Sequence, residues 1–131
     1  MTYLDYAASS PMNERAIVAY SEVASKMYGN PSSLHDVGGQ AASAIAWARK
    51  VIADKLGVNP DGVIFTGSGT EGNILAILSL ARSEKRGRHI ITSMAEHTSV
   101  HAPTNAIERE GFEATRLSLT HSGLRALDDL T

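Results

Sequence analysis

Gly69 and Thr70 lie where a protein can bind a phosphate group. They belong to the glycine-rich stretch Gly67–Asn73, which follows the apolar segment Val63–Phe65 and precedes the apolar run Ile74–Leu78. This order is typical of a strand, a tight turn and the start of a helix. The first N–H groups of a helix have no partner within it, and the helix dipole adds positive potential there. We therefore predict an anion site at the Gly69 and Thr70 amides and the Thr70 hydroxyl.

His97 is the second candidate for chemistry. It follows Glu96 beyond the predicted buried strand His89–Thr92, at the carboxyl end, where parallel sheets place ligands. An imidazole there can stack on an aromatic cofactor and carry a proton near neutral pH, although spacing alone favours a loop histidine bonded to backbone. His101 lies four residues later, but Pro103 disturbs a helix there and no third ligand is evident, so we expect no metal site.

The glycine-rich stretch has two further interpretations. Its three glycines satisfy G-x-G-x-x-G, and Glu96 lies where a dinucleotide-binding fold places its ribose-binding acid, but that motif usually opens a domain and here follows a long helix-rich segment. Ser68 and Glu71 also have the spacing of a capping box, which stabilises helices that bind no ligand. Capping accounts for those two residues and leaves the neighbouring glycines for anion binding.

The elements that position these residues follow from hydrophobic spacing. Helices are predicted where apolar residues recur every three or four positions, and strands where short apolar runs lie between turns. The helices are Asn13–Met27, Leu34–Leu56, Thr70–Arg82, a segment ending near Glu110, and the start of another within Leu124–Leu130; the strands are Val63–Thr66, His89–Thr92 and Glu113–Leu119. This β-α-β-α-β order predicts an α/β fold, a three-layer parallel-type sheet flanked by helices.

Composition narrows the classes of function. The 131 residues are 43% hydrophobic and 20% charged, which suits one ordinary core, and the net charge of −2 gives no basic field for a nucleic-acid partner. No apolar run approaches the roughly 20 residues that span a bilayer, so we expect no membrane association and a cytoplasmic location. The absence of cysteine from these residues excludes disulfides and a cysteine nucleophile among them.

Several motifs taken together resemble one enzyme family. They are Tyr3–Ala8, Gly29–His35, Phe65–Glu71 and His89–His97. Their order and spacing resemble the cysteine desulfurases of the NifS/IscS type, which are pyridoxal 5'-phosphate (PLP) enzymes of the class V aminotransferase family and of fold type I. The Asn30–Ser33 segment points to the NifS/IscS branch. The resemblance implies that the predicted sheet is part of the large domain of PLP-dependent transferases.

The resemblance also implies an activity and roles for the candidate residues. Such enzymes remove sulfur from L-cysteine, giving alanine and an enzyme persulfide for iron–sulfur cluster assembly or thiolation. Gly69 and Thr70 match the site of the cofactor phosphate, and His97 matches the histidine that stacks on the pyridine ring and moves protons on the substrate. The implied partners are L-cysteine, a sulfur-acceptor or iron–sulfur scaffold protein, and a second copy of the chain in a homodimer.

The chain is expected to be the N-terminal third of such an enzyme. Residues 1–11 would form an extended arm, and residues from about 12 to 131 would supply helices and the start of the PLP-binding large domain. The resemblance places the catalytic lysine and the persulfide cysteine beyond residue 131, so we expect these residues to be inactive alone. The alternatives are another class V PLP aminotransferase or lyase, or a non-catalytic fragment that binds a phosphate or a dinucleotide.

Overall fold

The computed structural model describes residues 2–83 and 87–119. The chain divides into two compact units, Met1–Ile64 and Phe65–Thr131. The helix start predicted within Leu124–Leu130 lies outside the described residues. Within the described ranges, no helix combines the length and the apolar character that a membrane crossing requires.

The first unit contains two helices with clear start signals. Helix α1, Glu14–Lys26, begins after Asn13, whose Oδ1 accepts a hydrogen bond from the Arg15 N–H at 3.0 Å. Helix α2, Asp36–Leu56, ends at Gly57, whose φ of 68° is the left-handed conformation that glycine adopts without strain. A 3₁₀ turn, Pro60–Gly62, follows. The two helices predicted for this region are confirmed to within two residues at each end.

The second unit alternates helices with strands. It contains α3 (Gly69–Ser83), β1 (His89–Ser93), α4 (Thr98–Arg109) and β2 (Glu113–Leu117). The two strands pair in parallel, with His89 opposite Glu113 and Ser93 opposite Leu117. Helix α4 crosses between them and packs against α3, as a parallel connection requires. This arrangement confirms the predicted α/β class with a parallel sheet.

Helix α4 supplies much of the core of the second unit. Its buried residues are Ser99, Pro103, Thr104 and Ile107, and the Ile107 side chain is fully enclosed. Pro103 was expected to disturb this helix, but α4 continues through it to Arg109. A proline removes one backbone hydrogen bond, and here its ring is buried, so packing offsets part of that loss.

The predicted strand Val63–Thr66 is wrong in the described structure. The Val63 N–H donates to the Pro60 carbonyl oxygen at 3.0 Å, and the Val63 carbonyl oxygen accepts from Arg49 Nε at 3.0 Å. Both backbone groups of Val63 therefore have partners within the first unit instead of a neighbouring strand. An apolar run indicates that a segment suits a sheet, whereas a strand also needs an adjacent strand to bond with.

Candidate functional site

The start of α3 has the capping arrangement that the sequence predicted. Ser68 precedes the helix, and its Oγ accepts a hydrogen bond from the Glu71 N–H at 3.1 Å. The Glu71 carboxylate in turn accepts from the Gly67 N–H at 2.6 Å, one residue earlier than the usual capping box places this bond. These two bonds fix the turn and use the amides of Gly67 and Glu71 only.

The Gly69 and Thr70 amides are the donors that remain. Both residues are exposed, and within the described residues neither N–H has a hydrogen-bond acceptor. They lie in the first turn of a 15-residue helix, where the helix dipole is positive. Together with the adjacent Thr70 hydroxyl they form a donor set suited to a phosphate group, without any basic side chain.

His97 lies at the start of α4 and caps that helix. Its Nδ1 accepts a hydrogen bond from the Ser99 N–H at 3.1 Å and lies 2.8 Å from the Ser99 Oγ. The bond to backbone, which was the structural alternative for this histidine, is thus present. The ring is nevertheless exposed, and its Nε2 makes no hydrogen bond to any part of the chain that the structure describes.

A side-chain bond joins the starts of the two helices. Asn73 Nδ2 on α3 donates to Ser99 Oγ on α4 at 2.9 Å. Asn73 lies one turn after Thr70, and Ser99 lies two residues after His97, so both predicted site residues are within about 6 Å of this bond along their helices. The structure therefore brings Thr70 and His97 to the same end of the α3–α4 pair.

The sequence did not predict a role for Asn73 or Ser99. Each is a polar residue near a helix start, which is common and carries little information alone. Their significance depends on a contact between residues 26 positions apart. One signal in the sequence could have indicated Ser99. It is a hydroxyl residue two positions after the candidate histidine.

The opposite end of α3 is fixed to α4 by an ion pair. Arg82 Nη2 lies 2.6 Å from Glu110 Oε1, and Arg82 Nε donates to the other carboxylate oxygen at 3.2 Å. This hydrogen bond, followed by the attraction of the charges, holds the pKa of Glu110 below its usual value. Arg116 on β2 lowers the pKa of Glu108 in the same way. Helix α3 is thus held to α4 near both of its ends.

The dinucleotide interpretation does not suit this geometry. The N–H of Gly67, the first glycine of that motif, already donates to the Glu71 carboxylate at 2.6 Å and is not free to bind a pyrophosphate. The Glu96 carboxylate accepts a hydrogen bond from the buried Ser93 hydroxyl at 2.8 Å. The proposed ribose-binding acid is therefore already engaged with the end of β1.

One known family matches this sequence over nearly its whole length. The sequence pattern of the family described as Aminotransferase class-V matches residues 2–131. The chain belongs to the class V aminotransferase family. The resemblance that the motifs predicted is confirmed.

Similar proteins within the class V aminotransferase family carry NifS and IscS names. This chain is 43% identical to the NifS/IcsS protein homolog of Lactobacillus delbrueckii subsp. bulgaricus, over 99% of this chain and 34% of the relative. It is 41% identical to cysteine desulfurase IscS of Dictyoglomus turgidum, over 98% of this chain and 33% of the relative. The chain therefore spans about a third of the length of the curated relatives it matches.

Solved structures give the same fold. The chain superposes on a structure described as SspA in complex with cysteine with a TM-score of 0.84 and 36% identity, covering 99% of this chain and 38% of the other. The described residues therefore adopt the fold of class V cysteine desulfurases, the fold type I transferases, as the sequence predicted.

Proposed function

We propose that this chain forms the phosphate-binding part of a PLP-dependent cysteine desulfurase. The observation that carries the proposal is that the Gly69 and Thr70 amides, at the end of α3 that lies beside His97, have no hydrogen-bond acceptor among the described residues. The relatives named cysteine desulfurase and the similarity to a structure that contains cysteine support L-cysteine as the substrate. The products would be alanine and an enzyme persulfide.

The donor set fits the phosphate of PLP. Gly69 and Thr70 would hold that group through their amides and the Thr70 hydroxyl, which are fixed before the ligand arrives because Ser68 and Glu71 already determine the turn. When bound, PLP supplies an electron sink for the chemistry at the substrate. The pyridine ring would lie against the exposed imidazole of His97.

His97 would have a second role in proton transfer. Its Nδ1 accepts the Ser99 N–H, so in the neutral ring the proton resides on Nε2, the nitrogen without a described partner. Nε2 is thus the atom from which His97 would give a proton and to which it would return one. Catalysis by His97 is proposed to depend on this atom.

The remaining groups of the reaction would come from outside these residues. The 131 residues contain no cysteine, so the thiolate that accepts sulfur must be supplied elsewhere, and we propose that these residues alone do not turn over L-cysteine. We further propose a cytoplasmic homodimer that passes sulfur to an acceptor or iron–sulfur scaffold protein. Residues 1–11 would form an arm ahead of the large-domain portion.

The proposal is tested by comparing PLP with pyridoxal, which lacks the phosphate. Calorimetric titration of the 131-residue chain should give at least tenfold tighter binding of PLP, because hydrogen bonds to a charged phosphate are among the stronger ones. Thr70→Ala should weaken PLP binding about tenfold and leave pyridoxal binding unchanged. His97→Ala should weaken both ligands by about three- to tenfold through lost stacking.

Ser79→Ala is the matched control, since it removes another exposed hydroxyl from α3 at a distance from the helix start. It should bind PLP as the original chain does. Equal affinity for PLP and pyridoxal, or a Thr70→Ala chain that binds PLP normally, would refute the phosphate site.

A further inference from the structure

We infer that Asn73 and Ser99 are positioning residues that hold the His97 imidazole in one tautomer and one ring orientation. The observation is a continuous line of side-chain hydrogen bonds. It runs from Asn73 Nδ2 to Ser99 Oγ at 2.9 Å and from Ser99 Oγ to His97 Nδ1 at 2.8 Å. The line begins on α3 and ends on the candidate catalytic ring at the start of α4.

The direction of each bond follows from the chemistry of the donors. A backbone N–H can only donate, so the Ser99 N–H at 3.1 Å requires a lone pair on His97 Nδ1. An amide nitrogen also only donates, so Ser99 Oγ accepts from Asn73 and has its own hydrogen left for Nδ1. Two donors from one residue therefore converge on Nδ1, and the ring proton is assigned to Nε2.

Burial restricts the Ser99 side chain that contacts the His97 ring. Ser99 is 4% exposed, and Thr104 and Ile107, farther along the same helix, are fully buried. The Ser99 side chain cannot turn toward water, whereas the His97 ring that it supports is exposed. The His97 ring is thus exposed while its Nδ1 is bonded to a buried residue. Rotating the ring by 180° would place Cδ2, which accepts no hydrogen bond, against the two Ser99 donors.

The role of this arrangement in catalysis rests on the proposed function. A ring that stacks on a flat cofactor must keep its plane, and a group that transfers protons must carry the proton on the nitrogen that faces the reaction. Asn73 and Ser99 touch neither proposed ligand. They act through His97, so their effect is measured at the His97 ring itself.

A second histidine provides an internal reference. His35 caps α2 with its Nδ1 accepting the Gly38 N–H at 3.2 Å, and no described hydroxyl reaches that ring. In both rings Nδ1 accepts a backbone N–H, and only the His97 ring also has a serine hydroxyl at Nδ1 among the described contacts. Removing the Ser99 hydroxyl should therefore make His97 behave like His35.

The test is nitrogen NMR of the imidazole rings in the ¹⁵N-labelled chain without ligand. Spectra at about pH 8, where ordinary histidines are neutral, distinguish a protonated ring nitrogen from an unprotonated one. His97 should show its proton on Nε2. Ser99→Ala should reduce the ratio of the Nε2–H to the Nδ1–H tautomer about fivefold, the equivalent of one ordinary hydrogen bond. Ser99→Thr keeps the hydroxyl and should restore the ratio.

Substitutions at the exposed Asn73 test the line without disturbing the core. Asn73→Asp replaces a donor with an acceptor that draws the Ser99 hydrogen away from Nδ1, so it should reduce the ratio as Ser99→Ala does. Asn73→Ala leaves the hydroxyl free to donate and should change the ratio less. Ser79→Asp adds the same charge to α3 and should leave the ratio unchanged.

A folded Ser99→Ala or Asn73→Asp chain with the original tautomer ratio would overturn the inference, and so would an original chain in which His97 carries its proton on Nδ1. If Ser99→Ala fails to fold, the tautomer ratios of Asn73→Asp and Asn73→Ala test the inference instead. Failure of the proposed function is seen separately, since PLP and pyridoxal would then bind alike while the ring spectra remain as expected.

Discussion

Helices α2 and α4 begin in the same way and are held in the fold differently. Each starts at a histidine whose Nδ1 accepts a backbone N–H, from Gly38 in α2 and from Ser99 in α4. In α2 the backbone carbonyl groups of Asn30 and Ser33, in the preceding loop, lie close to the backbone of Gly38. In α4 a line of side-chain hydrogen bonds reaches the capping ring from a neighbouring helix. A capping role alone therefore does not distinguish a structural histidine from a candidate catalytic one.

The buried faces of the two helices differ as well. The buried residues of α2 are Gly38, Ala41 and Ala53, all of them small, whereas α4 buries Ile107 completely. Small residues permit close backbone approach, and large ones fill volume. We therefore expect α2 to be sensitive to added atoms and α4 to removed atoms.

The largest expected effect is the removal of the Ile107 side chain. Ile107→Ala should lower the free energy of unfolding of the second unit by about 2–5 kcal/mol, since it leaves a cavity in a fully buried position. Urea unfolding followed by the backbone NMR signals of β1 and α4 measures this loss. Ile52→Ala in α2, where the side chain is 39% exposed, is the matched control and should cost well under half as much. Equal losses would remove the distinction between the helices.

The next effect is the addition of one methyl group to α2. A Cβ at Gly38 would lie 2.5 Å from the Ser33 carbonyl oxygen and 2.7 Å from that of Asn30, and both are backbone atoms that cannot move aside cheaply. Gly38→Ala should therefore destabilise the first unit by about 1–3 kcal/mol, as an overpacked site does. Unfolding followed by the fluorescence of Trp47 measures the change.

Gly39→Ala is the control, because nothing lies within 4 Å of its added Cβ. It should stabilise α2 by about 0.5–1 kcal/mol through reduced backbone entropy in the unfolded chain. A Gly38→Ala chain as stable as the original would contradict the close approach of the loop to α2.

The smallest effect is the response to acid. Ion pairs link α4 and its end to β2 and α3 through Glu108 and Glu110, whereas the Lys50–Asp54 pair of α2 lies within one helix. The hydrogen bonds from the arginines lower the pKa of both glutamates below the usual 4.5. A lowered pKa in the folded state contributes stability that is complete above this usual value and is lost as pH falls through the lower one.

The second unit should therefore lose stability as the pH falls below about 4.5, and the double variant Glu108→Gln, Glu110→Gln should show a shallower decline. Urea unfolding at a series of pH values measures the slope. Glu113→Gln, which removes a carboxylate with no ion pair among the described residues, is the control. An unchanged slope in the double variant would show that these pairs do not couple α4 to its neighbours.

The local features of the fold were predictable from short stretches of sequence. Ser68 was predicted to cap α3, and the bonds at Asn13 and Gly57 obey the same rules, since each acts on backbone groups within four residues. The anion site at Gly69 and Thr70 remains a prediction about a ligand. Its structural precondition is a pair of amides with no acceptor in the part of the chain that the structure describes, and this follows from the same local rules.

The sequence by itself determined where most helices begin and end and which family the motifs belong to, because both depend on residues close together in the chain. Tertiary structure decided three other matters: the bonding of Val63 to Arg49 in place of a strand, the continuation of α4 through Pro103, and the support of His97 by Asn73 and Ser99. Each depends on packing or on a partner elsewhere in the fold. A sequence pattern states what a residue can bond with, and only folding brings that partner within reach.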